Sequence, residues 1–384
     1  MVTADGAALT LSLTRAMLSR FPLIDGHNDL PWEIREKFAL DPVAAGLTGR
    51  VAGTDTDIPR LVEGGVGGQF WSVYVPAALA GDKAVTAVFE QVDLVHQMIA
   101  AYPGRFRLAV TADDVDASFA AGQIASLLGA EGGHCINGSL GVLRSLYALG
   151  VRYLTLTHND NVGWADSATD EPDCGGLSDF GRTVVAEMQR LGMLVDLSHV
   201  AVTTMNAALE VARAPVIFSH SSARALTDNP RNVPDDVLGR LAVNGGVCMV
   251  TFVPFFVSQE CTDWFTALKA FAAGCGLDPD NLGQVFGLLP EWEKEQPMPS
   301  ATISQVADHI DHVRQVAGLA HVGIGGDFDG TPSMPLGLHD VSRYPALFYE
   351  LQRRHWSESD LKALAGANIL RVLRDAESSA TAHA

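Results

Sequence analysis

Side chains able to bind a metal ion or move a proton recur where short apolar runs end. His27 and Asp29 close the run FPLIDGH as an HxD pair. Residues i and i+2 of a strand point to the same side, so both can reach one ion. Glu131 ends IASLLGAE, His158 ends VRYLTLTH, His199 ends MLVDLSH, His220 ends PVIFSH and Asp327 ends HVGIGGD. Imidazole and carboxylate together suit zinc. A lone histidine at a strand end is ordinarily a packing or surface residue, so the inference rests on the whole set.

Bringing these ends together needs a scaffold of strands that all finish on one side. The runs Phe21–His27, Gln69–Val75, Ile124–Glu131, Val151–His158, Met193–His199, Pro215–His220, Gly246–Phe252 and His321–Asp327 are mostly continuous apolar stretches. Strands buried on both faces of a parallel sheet look like this. RFRLAV, residues 105–110, reads as a further short strand. Helical spacing fills the gaps: Asp82–Ala101, Ser139–Leu149, Asp179–Gly192, Thr203–Ala212, Asp235–Val243, Ile303–Ala317 and Ser357–Arg374. Strands alternating with helices specify an α/β fold, and eight such units favour a closed (β/α)₈ barrel. No GxGxxG follows the first strand, which excludes the usual dinucleotide fingerprint. Barrel enzymes carry their catalytic groups at the C-terminal ends of several strands. The chain is expected to be one domain, 1–384, with a core over about 21–375. Two segments, Lys37–Pro59 and Ser258–Ser300, are too long for tight loops, and long connections of this kind usually cover an active site.

The remaining candidates read more plainly. His309 and His312 lie one turn apart in DHIDHVRQV, on a helix expected outside the barrel, and take structural roles. His96, His321, His339, His355 and His383 take surface or packing roles. His134, just past Glu131, is open to either a supporting or a structural role; its neighbour Cys135 has no base placed for it and reads as an inert thiol. Composition narrows the function classes. The 384 residues include 26 basic and 45 acidic side chains, a formal charge of −19, with no basic cluster. That argues against a nucleic-acid binder. No run reaches the ~20 apolar residues of a membrane span. The five cysteines are scattered without a CxxC, as expected of reduced thiols. With no leader or anchor signal in the sequence, a cytoplasmic location is expected.

FPLIDGHNDLPW, AEGGHCI, YLTLTHND, VDLSH, FSHSSARAL, DNPRNVPDD and GGDFDGTP, in this order, resemble the membrane (renal) dipeptidase family of the amidohydrolase superfamily. The resemblance runs from about Phe21 to about Ile369. It implies two Zn²⁺ per chain: His27 and Asp29 on one, His199 and His220 on the other, Glu131 bridging both. It also implies that His158 polarises the scissile carbonyl or steadies the tetrahedral intermediate, Arg231 holds a dipeptide's free carboxylate, and Asp327 relays the proton. Two divalent ions bridged by a carboxylate lower the pKa of a shared water toward ~7. Arg suits a carboxylate because its planar fork makes parallel hydrogen bonds. Asp329, two residues past Asp327 in a Gly-flanked turn, has a turn-forming role as its plainer reading.

The expected activity is therefore hydrolysis of dipeptides, with tolerance of a C-terminal D-residue and a possible homodimer. One departure concerns specificity: Phe255 and Phe256 occupy a region where some relatives place a tyrosine against the substrate carboxylate. The rival within enzymes is a barrel amidohydrolase acting on an N-acyl amino acid, a lactone or a phosphotriester. The rival outside them is a non-catalytic barrel binding protein, which would usually have lost one of the ligands.

Overall fold

A computed structural model describes residues 4–380. Nine parallel strands are present among them: β1 (Leu23–Asn28), β2 (Val66–Tyr74), β3 (Phe106–Leu108), β4 (Ile124–Glu131), β5 (Val151–Thr155), β6 (Leu194–Asp196), β7 (Ile217–Phe218), β8 (Val247–Val250) and β9 (Val322–Ile324). β1 pairs with β2 and β9, and β2 pairs directly with β4 from Gly68↔Ala125 to Tyr74↔Glu131. The ring β1-β2-β4-β5-β6-β7-β8-β9 therefore closes as an eight-stranded barrel. β3, the extra strand at 105–110, stays outside the ring. It takes the first residues of the β4 edge, Ile124–Ser126, and β5 takes the later ones.

The ladders end earlier than the apolar runs predict. β5, β6, β7 and β9 stop at Thr155, Asp196, Phe218 and Ile324. His158, His199, His220 and Asp327 thus sit two or three residues past the last paired residue. His199 and Asp327 themselves adopt left-handed φ of 69° and 61°, outside the strand region, and past Asp327 a single bridge, Asn28↔Phe328, remains.

Inside the ring, Ile24, Phe70, Leu127, Tyr153, Leu194, Ile217 and Met249 form one buried cluster with Ile369, Val372 and Leu373 of the helix Asn368–Ser379. The outer helices pack on the other strand faces. Asp82–Ala101 and Ile303–Ala317 match the expected spans, and Asp179–Leu191 stops at Gly192, φ 84°. A helix at Ala4–Leu18 precedes the expected core; Met17 and Leu18 are buried, and Thr14 Oγ1 donates to Gln352 Oε1 at 3.1 Å. The segment Ser258–Ser300 forms three helices, Gln259–Gly274, Leu282–Gly287 and Leu289–Glu295. All five cysteines are free. Among the described residues, no helix is long and apolar enough to cross a membrane.

Candidate active site

Two buried carboxylates that sequence reading passed over fix the strand ends. Asp25, in β1, accepts hydrogen bonds from His27 N at 2.7 Å, Gly326 N at 2.9 Å and Gln69 Nε2 at 3.1 Å, and from the Tyr344 hydroxyl. Asp196, in β6, accepts from Ser198 N at 3.1 Å, Ser219 N at 2.8 Å, and both Ser219 Oγ and Thr155 Oγ1 at 2.6 Å. Each therefore ties the turn after its own strand to neighbouring strands.

On that support, the expected groups converge at the C-terminal mouth of the barrel. His27 Nε2 lies 3.3 Å from Asp29 Oδ2 and 3.4 Å from Glu131 Oε2. The other oxygen of Glu131, Oε1, lies 3.0 Å from His199 Nε2 and 3.4 Å from His220 Nε2. The two Nε2 atoms of His199 and His220 are 3.0 Å apart. Donor atoms within 4.8 Å of one another form the sets His27–Glu131–His220, Glu131–His158–His199 and His27–Asp29–Asp327. His134 falls in none of them. The far nitrogens of two imidazoles are held in turn: His27 Nδ1 by the Tyr153 hydroxyl and His220 Nδ1 by Ser219 Oγ, each at 2.8 Å.

The donor set fits zinc. Two tetrahedral ligands at ~2.0–2.1 Å from an ion stand about 3.3 Å apart, the separation these Nε2 and carboxylate atoms keep. The electrostatics differ between the imidazoles. Burial pushes His199 and His220 well below the ordinary imidazole range, so they present neutral nitrogen lone pairs. Burial also disfavours charge on His27, but Tyr153, Glu131 and Asp29 outweigh it and hold His27 well above that range. Against the effect of burial, His27 and His199 hold the Glu131 carboxyl well below the usual carboxylate range, and its negative charge attracts a cation. Imidazoles whose second nitrogen is hydrogen-bonded are oriented in the way metal-binding histidines require.

Around the cluster opens a cavity of about 1010 Å³. His158, Arg231 and Asp327 all line it. Burial pushes the His158 imidazole down to about 4, so it is neutral at pH 7. The Asp327 carboxyl is held well above the carboxylate range, burial being the main cause. Arg231 is 3% exposed, and its Nε and Nη1 have no hydrogen-bond partner. Asp329 also lines the cavity but is engaged in a reciprocal turn: its Oδ1 accepts from Asp55 N at 2.6 Å, and its own N donates to Asp55 Oδ2 at 3.3 Å. Gly330 crosses Asp327 and Asp29 so closely that a Cβ there would collide with both carboxylates.

The other histidines lie elsewhere. His309 is buried, receives Ala223 N on Nδ1 at 3.0 Å, and does not join the cluster; His312 meets Asp235 at 2.8 Å. His96 reaches Leu149 O and His321 reaches Gly246 O, both at 2.8 Å. His339 stands at the cavity rim, and His383 lies outside the described residues. Cys135 is buried and its thiol is pushed up to about 12, which removes it as a nucleophile.

A parallel eight-stranded barrel with an imidazole–carboxylate cluster at the strands' C-terminal ends has the architecture of a (β/α)₈-barrel enzyme. The profile of the family described as Membrane dipeptidase (Peptidase family M19) matches residues 11–384, and the chain belongs to that family. Dipeptidase 3 of Rattus norvegicus is 42% identical over 367 residues, 94% of this chain and 66% of the rat protein. Dipeptidase verJ of Clonostachys rogersoniana is 41% identical over 378 residues, 96% of this chain and 87% of its own. Among solved structures, the probable dipeptidase PvdM from Pseudomonas aeruginosa superposes with a TM-score of 0.84 at 23% identity, over 97% of this chain and 100% of that one. A metallo peptidase from Rhodobacter sphaeroides, liganded with a phosphinate mimic of the dipeptide L-Ala-D-Ala, gives 0.77 at 24% identity, over 93% and 99%.

Proposed function

We propose that this chain is a binuclear zinc dipeptidase that hydrolyses the single peptide bond of a dipeptide. The observation that carries the reading is the posture of Glu131. Its Oε2 faces His27, and its Oε1 faces His199 and His220. One carboxylate is thus shared between two sets of ligands. In this reading His27 and Asp29 hold one ion, His199 and His220 the other, and Glu131 both.

Zinc held by His27, Asp29, Glu131, His199 and His220 would supply a water acidified toward neutral pH and Lewis-acid polarisation of the scissile carbonyl. The chain's own residues do the rest. Arg231, whose Nε and Nη1 have no protein partner, offers its guanidinium to the substrate's free carboxylate and so sets the register of the peptide bond. His158, neutral, donates a hydrogen bond to the carbonyl oxygen as negative charge grows on it. Asp327 takes the proton from the attacking water and hands it to the amine nitrogen as the C–N bond breaks. The products are two free amino acids. The R. sphaeroides metallo peptidase of the same fold binds a mimic of L-Ala-D-Ala, and the same tolerance of a C-terminal D-residue is proposed here.

The test counts zinc per folded chain and compares dipeptides of both C-terminal configurations with N-acyl amino acids and lactones. Two zincs and a preference for dipeptides are expected. Faster turnover of an N-acyl amino acid or a lactone by the metal-replete protein would move the assignment to another amidohydrolase activity.

A further inference from the structure

We propose that the aromatic wall made by Phe255, Phe256, Phe265 and Phe286 is the pocket for the side chain of the substrate's C-terminal residue, and that it selects large apolar side chains. The proposal rests on Arg231 being the carboxylate anchor, as above.

A C-terminal residue carries its carboxylate and its side chain on the same Cα, so the anchor fixes where the side chain emerges. The Arg231 guanidinium carbon lies 5.1 Å from the ring centroid of Phe256. Three further rings line the same cavity. Phe255 stacks on Phe265 with centroids 4.4 Å apart and planes 18° from parallel, and Phe265 meets Phe286 at 5.8 Å. All four line the cavity, and Phe256, Phe265 and Phe286 are only half-buried. They come from the turn Pro254–Val257 after β8 and from the helices Gln259–Gly274 and Leu282–Gly287. Half-buried rings clustered beside a buried cation mark a binding surface, because burying them against a ligand recovers the cost of leaving them wet.

The charges nearby point the same way. Lys269 is paired with Asp280 at 2.7 Å, so it offers an acidic side chain little. Asp228 is exposed, lines the cavity, and repels such a side chain. Beyond Asp29 the cavity is lined by Trp32, Glu33, Lys37, Asp55 and Tyr74, a wall that mixes charge with aromatic surface. The two walls are therefore unlike: apolar beside Arg231, charged beyond the metal ligands.

The experiment uses the zinc-loaded full chain. Dipeptides with N-terminal Ala and C-terminal Ala, Leu, Phe, Lys or Asp, in both configurations, are ranked by kcat/KM. Leu and Phe are expected to exceed Asp by at least about tenfold, the scale of burying several methylenes against a polar alternative. Phe286→Ala should shrink the Phe-to-Ala ratio at least about threefold, and the milder Phe286→Leu should shrink it less. Zinc content and circular dichroism show whether each variant is folded. Calorimetric Kd values for phosphinate dipeptide mimics bearing the same C-terminal side chains read the pocket without turnover. No hydrolysis of any dipeptide overturns the proposed reaction. A Kd series that is flat, or that favours Asp or Lys over Leu and Phe, overturns the pocket, whatever the turnover.

Discussion

Replacing Arg231 by Met separates a binding role from a structural one. The side chain is 3% exposed, and Nε and Nη1 have no partner. Nη2 reaches the His220 carbonyl only at 3.5 Å. Burial pushes the guanidinium down to about 10 against the pull of Asp327 and Glu131, so it is still a cation at pH 7. A buried cation with unmet donors adds little to the fold, and Met fills similar space without charge. The stability of the zinc-loaded protein should change by no more than about 1 kcal/mol, in either direction. Binding should change far more. Each charge-assisted hydrogen bond to the substrate carboxylate is worth ~1.5–3 kcal/mol, so losing two costs roughly 10²–10⁴ in kcat/KM. A C-terminally amidated dipeptide has no carboxylate to offer, so the wild type should already cleave it about 10²-fold less well. In Arg231→Met the free and amidated substrates should differ by less than about threefold. The assay is kcat/KM for both substrates on both proteins, beside thermal melts. Equal cleavage of both substrates by the wild type would refute the reasoning. So would a variant that melts several degrees lower while keeping its preference for the free carboxylate.

Other perturbations test the remaining parts of the site. Glu131→Gln should lower bound zinc below two per chain and nearly abolish turnover in a folded barrel; metal analysis decides, and full occupancy would remove the bridging role. Asp327→Asn should keep zinc and fold but lose at least ~10²-fold in kcat, the scale of a missing general base. Asp329→Ala, which removes the acceptor of Asp55 N, should instead lower the melting temperature; a metal-replete, inactive Asp329 variant beside a fast Asp327 variant would reverse the two roles. Gly129→Ala would drive a methyl into the ring of Tyr153, the residue that holds His27 Nδ1. A loss of ~1–3 kcal/mol in stability and weaker zinc affinity are expected, read by chemical denaturation and metal titration.

Much of this arrangement was legible in the chain because a parallel barrel buries both faces of each strand. That burial writes continuous apolar runs into the sequence, and the runs located the strands to within a few residues. The site was legible for a related reason: polar residues that break an apolar run stand out where the run ends. His27, Glu131, His199 and His220 meet in the structure on that account. Arg231 was different. It lies beyond the turn that follows β7, so no periodicity marked it, and only the family's motif pointed there. Asp25, Asp196 and Tyr153 were passed over because a polar residue inside an apolar run says nothing of its distant partners: Ser219 is 23 positions from Asp196, His27 is 126 from Tyr153, and Tyr344 is 319 from Asp25. The aromatic wall was hidden for the same reason. Phe255, Phe265 and Phe286 are separated in sequence and meet only when the Ser258–Ser300 helices fold back over the barrel.

The strand ends show why a barrel of short ladders serves this chemistry better than the longer strands the sequence suggests. Side chains on an unbroken strand alternate between the barrel interior and the helix layer, so only every second one can face the mouth. Leaving the ladder at Asp196 releases the chain from that rule. Ser198 Oγ then accepts His220 N at 3.0 Å, while the next residue, His199, turns its ring to Glu131 through φ 69°. Asp327 does the same past β9 with φ 61°, held by its N donating to His27 O at 3.2 Å. Each left-handed non-glycine residue costs about 1–2 kcal/mol. Glycine would relieve that cost but would remove the imidazole or the carboxylate. The strain falls on two residues that the proposed chemistry needs, and the buried hydrogen bonds of Asp25 and Asp196 hold the backbone that bears it.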